Sequence, residues 1–472
     1  MSRNEFGRIL FWSLMSFAWI TFFADNMAGM LISILAFFIL IYYGLFKKKK
    51  LIEVSLFLLF LIPEYPRDIL FLYDSLSSNE IFYNTVNTVK IGPLTLFYWA
   101  IITLPVTIVV FNKFKLSRAS GIAVSAVVLL LAWLVFITVI NDQPFDLSIA
   151  ITNVKIYIVL ICVFLLLSNW KEQELKAQLQ SFLIFLPVII GLRVILFIAY
   201  DFTLGTPSWD YFTQPLISAI TFILFLQTKD KTIFERSMVY RILFYISLFS
   251  LSRALIGIVI ITLFFSFLLS KKIKLKFKVM MEIIPFFTVL CFAVLVTNPN
   301  LYNFLLWKVS DLNVFQENKE MSGSGKVRQY EVINILDGNE SSEMKVLLGY
   351  GLSGSFNFDK YPLPILEALD SKSFSEKERL GNRYFFPHSF IAANLLRGGL
   401  LLLLLYLFVH FALFVYFFKS NEYYLSVLSI FLIYNSYVRV EYALLLSILI
   451  TLALLKNQVS TIQNNSDKAT HS

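Results

Sequence analysis

Apolar runs long enough to cross a bilayer recur along nearly the whole chain, and charge is confined to the breaks between them. At 1.5 Å rise per residue, about 20 residues traverse a hydrocarbon core of about 30 Å, and these runs hold roughly 15 to 22 residues each. Lipid offers backbone groups no hydrogen-bonding partner, so such a run must satisfy itself as a helix. The sequence therefore reads as an all-α integral membrane protein, a polytopic bundle of about 14 (12–14) transmembrane helices. A soluble reading fails on composition: 58% of residues are hydrophobic and 15% charged, against about 25% charged in globular domains.

The expected spans are 8–23, 28–46, 51–62, 93–111, 119–140, 148–168, 181–200, 212–226, 239–250, 254–270, 279–297, 390–418, 422–438 and 440–455. The first is read as a retained helix, because no small-residue cleavage site follows it. Basic residues gather at alternate connections: Lys47 to Lys50, Lys113 to Arg118, Lys171 and Lys176, Lys229 to Arg236, Lys271 to Lys278, Lys419 and Lys456. The intervening connections carry only scattered cations, among them Arg67, Lys90, Arg253 and Arg439. Lys and Arg mark the cytoplasmic side of a span, which places both termini in the cytoplasm. The net charge of +9 is thus a topology signal and calls for no nucleic-acid partner. The short run 51–62 counts as a span by parity, because the basic clusters on either side of it lie on the same face. The stretch 64–92 then becomes an external excursion.

Four regions follow: a helix bundle over 1–297, a polar segment over 298–387, C-terminal spans over 388–456, and a tail over 457–472 whose Asn, Ser, Thr and Gln read as disordered. The polar segment holds ten Lys/Arg and twelve Asp/Glu. A connection of that length is seldom idle. It reads as a periplasmic subdomain with short helices around 328–337 and 364–370, roofing the bundle. Cys162 and Cys291 both fall in apolar runs, which argues against a disulfide framework or a metal cage. No phosphate-binding P-loop, dinucleotide GxGxxG or zinc HExxH is present, so neither a metal nor a cofactor is expected.

Ionised side chains at membrane depth cost about 2.5–3.5 kcal/mol on insertion scales and are functional candidates by default. Arg193 lies in the external half of its span, and Lys155 lies one to two turns in from the same face. Either residue binds something or it snorkels to the interface. Arg253, at a tight external turn, is either an interface anchor or an anion ligand, for which its fork of donors suits phosphate. Of three histidines, His471 is in the tail and His410 is mid-span among Leu and Phe, a packed core residue. His388, with Ser389 after it, stands where the long segment re-enters the membrane. There it can accept a proton from a hydroxyl near neutral pH, or serve as a hydrogen-bonded interface residue.

From about 240 to 415 the chain resembles the O-antigen polymerase/ligase family of bacterial integral-membrane glycosyltransferases. Ser252-Arg253 heads an apolar helix, as in that family's Ser-Arg-Gly segment, with Ala254 in the glycine's place. Gly325-Lys326-Val327-Arg328 leads to Leu348-Gly349-Tyr350-Gly351-Leu352-Ser353-Gly354-Ser355-Phe356, similar to its arginine helix and following Gly-x-Gly-x-x-x-Phe turn. The Trp usual four residues after the arginine is Val332. Pro387-His388-Ser389, then nine residues and Gly399 opening a Leu-rich helix, resembles its His-[Asn/Ser/Gln]-x9-Gly element. Leu402 stands where the ligase version prefers a small residue or Tyr.

The resemblance implies a metal-independent transferase of the bacterial inner membrane with its active site facing the periplasm. It would move an undecaprenyl-diphosphate-linked oligosaccharide onto a sugar hydroxyl of another lipid-linked repeat unit. The alternatives are a ligase that transfers the glycan to lipid A core and, from another class, a lipid-linked oligosaccharide flippase. On that reading His388, Arg253 and Arg328 are catalytic: the histidine handles the acceptor hydroxyl and the arginines hold the diphosphate. Arg193 is a lesser phosphate candidate, and Gly349 and Gly351 let backbone approach the sugar. Ser389, next to the base, is expected to contact substrate. Arg383 and Arg397 are either phosphate contacts or interface anchors. A chain-length regulator and a flippase of the same pathway are implied partners alongside the lipid bilayer.

Overall fold

The caps set where each long helix begins and ends. In the computed structural model, Ser117 accepts from the Ser120 amide and opens α1, Arg118–Ile140. Asp146 accepts from the Ser148 and Ile149 amides at 3.0 and 3.2 Å and opens α2, Leu147–Leu166. Between them Asn141 to Asp146 turn the chain back, so the two helices pack side by side. The structure describes residues 117–168, 171–183, 223–227, 253–269, 324–338, 341–363, 376–433 and 442–456, together with isolated positions and one short strand pair. Further helices among these are α3, Glu172–Leu183; α4, Arg253–Leu269; α5, Ser324–Asp337; α6, Glu343–Leu348; α7, Glu376–Gly381; α8, Phe390–Lys419; α9, Tyr423–Ile433; and α10, Tyr442–Lys456.

Among the described residues, α1, α2 and α8 are long and apolar enough to cross a membrane, and α9 and α10 are shorter apolar helices. The expected boundaries 119–140, 148–168 and 390–418 agree with these three within two residues. Spans expected near 8–23, 28–46, 51–62, 181–200, 212–226, 239–250 and 279–297, and the tail over 457–472, lie wholly or mostly outside the described residues. One element differs from expectation. Lys90–Ile91 (β1) pairs antiparallel with Leu94–Thr95 (β2), Lys90 opposite Thr95 and Ile91 opposite Leu94. The first residues of the span expected from 93 are therefore strand. The Gly92-Pro93 dipeptide between the strands is a turn signal that disfavours a continuous helix through this point.

Burial separates exposed apolar from interior surfaces. Helix α1 exposes Leu129, Phe136 and Val139, while α2 is buried from Val163 through its end at Leu166. Helix α8 has two halves. At 30 residues it would run about 45 Å, longer than a hydrocarbon core of about 30 Å. It is broken at Gly398 and Gly399, which leave helical geometry. Every residue from Ala392 to Gly399 is buried, whereas Leu404, Phe408 and Phe411 beyond the break form an exposed apolar stripe.

Helix α8 then packs along α9. His410 bonds the Ser429 carbonyl at 2.8 Å, and the Tyr406 hydroxyl donates to the Ile433 carbonyl at 2.7 Å. His410 is fully buried there, the packed core residue the sequence indicates. At this end of the bundle Lys456 pairs with Glu422 at 2.6 Å and with Glu172 at 3.7 Å, tying the termini of α10, α9 and α3. The opposite end carries the long polar segment. Its helix expected at 328–337 is α5, extended by a turn at the start; α6 and α7 were not foreseen, and 364–370 lies outside the described residues.

Candidate functional site

Along α5, Val327, Glu331 and Ile335 recur at four-residue spacing and share one face. That face packs on Ala392, Leu395 and Leu396 of α8 and on the aromatic side chains of Tyr350, Phe356, Phe358, Phe374 and Tyr384. The Phe356–Tyr384 bridge, bonded both ways at 3.1 and 2.9 Å, holds two of those rings together. In the middle of this apolar stripe Glu331 is 0% exposed. A buried carboxylate is costly unless hydrogen-bonded, and Glu331 is. Its two oxygens accept the His388 backbone N–H at 3.1 and 3.0 Å, and Oε1 lies 2.6 Å from His388 Nδ1.

The imidazole is fixed from two sides. Its ring meets Phe374 edge to face, 4.9 Å between centroids. Because a carboxylate accepts and does not donate, Nδ1 carries the proton, and Nε2 is the basic nitrogen of the neutral ring. The His388 side chain remains 30% exposed, so the residue is held without being sealed. Ser389 follows as the N-cap of α8, accepting the Ala392 amide at 3.2 Å.

The turn after α6 rests on the α8 break. A helix interrupted at 398–399 leaves carbonyls that no amide four residues on can reach. Two of them are met from the turn: Tyr350 N–H donates to Leu396 O at 2.7 Å, and Gly351 N–H donates to Arg397 O at 3.0 Å. Gly349 has φ +80° and ψ −168°, and a Cβ built there would lie 2.5 Å from the amide nitrogens of Gly398 and Gly399. Gly351, at φ +83°, abuts the Thr138 backbone in the same way. The close approach that these glycines permit is thus backbone of the turn on backbone of the helices.

Side chains at the adjoining ends of α1 and α2 complete this latch. Thr138 Oγ1 accepts the Leu352 amide at 2.7 Å, Asn141 Nδ2 donates to Tyr350 O at 2.6 Å, and Asn153 Nδ2 donates to Leu352 O at 2.6 Å. Gln143 accepts the Ser355 amide at 2.8 Å. Arg383 belongs to the same latch: Nε and Nη2 donate to Ser355 Oγ at 3.2 and 3.1 Å, and its guanidinium lies over the Phe385 ring.

The remaining candidates distribute as follows. Arg328 is half-buried on α5, three residues before Glu331 and hence about 5–6 Å from it at Cβ. Arg397 is 5% exposed at the break, within electrostatic reach of Tyr157. Arg253 is the first residue of α4; its side chain, and all of Arg193, lie outside the described residues. Lys155 is 5% exposed within α2, so its side chain stays in the interior and does not snorkel to a surface. Among the described residues no three His, Cys, Asp or Glu side chains converge as metal ligands do.

Sequence reasoning missed Glu331 and the latch residues Thr138, Asn141, Gln143 and Asn153. For Glu331 a signal existed: an acid in the centre of an apolar stripe with four-residue spacing. The latch residues carry none, being ordinary polar residues at span ends. No family model, no curated protein and no solved structure matches this chain.

Proposed function

We propose that this chain is a membrane glycosyltransferase of the O-antigen polymerase kind. On this reading it joins a polyprenyl-diphosphate-linked glycan to the sugar hydroxyl of a second lipid-linked repeat unit. The observation that carries the proposal is His388, its Nδ1 bound to buried Glu331 on the helix that also bears Arg328. The resemblance of the Arg253, Arg328 and His388 segments to that family supplies the substrate class. In the reaction the acceptor hydroxyl gives its proton to His388 Nε2 while its oxygen bonds to the anomeric carbon of the donor sugar. The bond from that carbon to the diphosphate oxygen breaks, and the lipid diphosphate leaves with the electron pair. Arg328 and Arg253 meet the charge that develops on it. Fixed cations at such a centre contribute several kcal/mol to the transition state, and a positioned base contributes about 10²–10⁴-fold.

The test is the lipopolysaccharide ladder of the host after deletion of the gene and complementation with variants. Core bearing a single repeat unit in the deletion strain marks a polymerase; bare core, with long glycan left on the lipid carrier, marks a ligase. His388→Ala and Arg328→Ala, expressed at normal levels, are each expected to fail to restore the ladder. Full restoration by His388→Ala rejects the mechanism.

A further inference from the structure

Glu331 is an acid buried in an aromatic core, and no step of the reaction above uses it. A core position filled for packing alone would hold an apolar residue, because burying a carboxylate costs more than it returns unless its hydrogen bonds are themselves needed. All three of its contacts given above run to one residue: two to the His388 backbone N–H and one to Nδ1. The backbone contacts fix where His388 leaves the segment and enters α8. The side-chain contact fixes the ring plane and the tautomer. Phe374, edge-on at 4.9 Å, closes the remaining rotation about the ring.

We infer that Glu331 is the positioning residue of this site, holding His388 with Nδ1 protonated and Nε2 turned to the acceptor hydroxyl. This rests on the proposed role of His388. Glu331 itself touches no substrate and takes no proton; it stabilises the imidazolium that forms when Nε2 is protonated, as the carboxylate of a hydrolase triad does. Its place on α5 has a second consequence. Arg328 lies one helical turn away, so the contact that orients the base also sets the spacing between the base and one cation of the diphosphate site. Base and cation then enter register only when α5 seats on the first half of α8.

The experiment uses the full chain purified in lipid nanodiscs. The donor is the polyprenyl-diphosphate-linked glycan extracted from the host's own deletion strain. Glu331→Gln, close in shape and uncharged, is expected to lower turnover by about 10²–10⁴-fold with KM for that donor changed less than about threefold. Selective ¹⁵N labelling of histidine gives a readout independent of activity, helped by there being only three histidines. The native His388 is expected as one tautomer with Nδ1 protonated, and Glu331→Gln as a mixture. Glu331→Asp, which keeps the charge but shortens the reach, is expected to recover part of the turnover.

Turnover of Glu331→Gln within about threefold of native, or an unchanged His388 spectrum, overturns the inference. If Glu331→Gln does not fold, Glu331→Asp is judged on the same two readouts. The two layers fail separately. His388→Ala at full turnover removes the proposed function, whereas an inactive His388→Ala beside a fully active Glu331→Gln removes only the role of Glu331.

Discussion

Replacing Gly349 by Ala tests the latch, and its cost can be worked from the geometry. The φ +80°, ψ −168° conformation belongs to a region open essentially to glycine alone, at about 1–3 kcal/mol for another residue. Sterics add to this. The new Cβ would lie 2.5 Å from two backbone nitrogens where ordinary contact begins at 3.4 Å, a shortfall of about 0.9 Å that no side-chain rotation relieves. If turn and helix part by that much, the bonds at 2.7 and 3.0 Å from Tyr350 and Gly351 reach or pass the limit of a hydrogen bond, stranding two buried donors at about 1–3 kcal/mol each. The sum is at least about 3 kcal/mol for local opening, or more than 100-fold in the opening equilibrium. Hydrogen–deuterium exchange on peptides covering 349–356 reads this directly, as faster exchange at Tyr350 and Gly351 with α1 and α2 unaffected. Gly121→Ala is the control, since a Cβ there meets nothing within 4 Å. Native-like exchange in Gly349→Ala would refute the reasoning.

Thr138→Val keeps shape but removes the acceptor of the Leu352 amide; an unmet buried donor is worth about 1–3 kcal/mol, visible as faster exchange at Leu352. Ser389→Ala removes the α8 cap, for a loss of about 1 kcal/mol in thermal unfolding that Ser389→Asp restores; lost turnover with an unchanged melting point would instead give Ser389 a role beyond the cap. The Tyr361 hydroxyl, and after it Lys360, hold the Asp337 carboxyl below its ordinary value. Its contribution is therefore complete above about pH 4 and falls away as pH drops through the lowered value. Asp337→Asn is expected to lessen the acid-side decline in melting temperature while leaving neutral-pH turnover unchanged, because this pair is solvent-exposed.

The helices were legible where apolar runs are long enough to cross a bilayer, and 119–140, 148–168 and 390–418 nearly coincide with α1, α2 and α8. The break in α8 was half-legible: Gly399 reads as the opening of a Leu-rich helix, which it is, but nothing local shows what meets the carbonyls before it. His388 stood out by rarity and position. Its partner did not, because Glu331 lies 57 residues away and is one acid among twelve in a polar segment. The latch spans still greater separations, Thr138 and Leu352 standing 214 positions apart. Such pairings depend on how the segment folds back, and hydropathy carries no information on that.

Hydropathy draws a boundary at 387–388, where polar segment gives way to apolar helix, yet one core runs straight across it. Val327, Tyr350 and Phe356 on one side pack with Ala392, Leu395 and Leu396 on the other. Leu352 extends the contact to Leu134, Ala150 and Leu402. Cutting at 388 would also divide the Glu331–His388 pair and strand the carbonyls of Leu396 and Arg397. The described part of the segment thus shares one core with the first half of α8. His388 sits two residues before a buried half-helix and Arg328 on the helix packed against it, and the geometry between them is fixed by the same contacts that fold the protein.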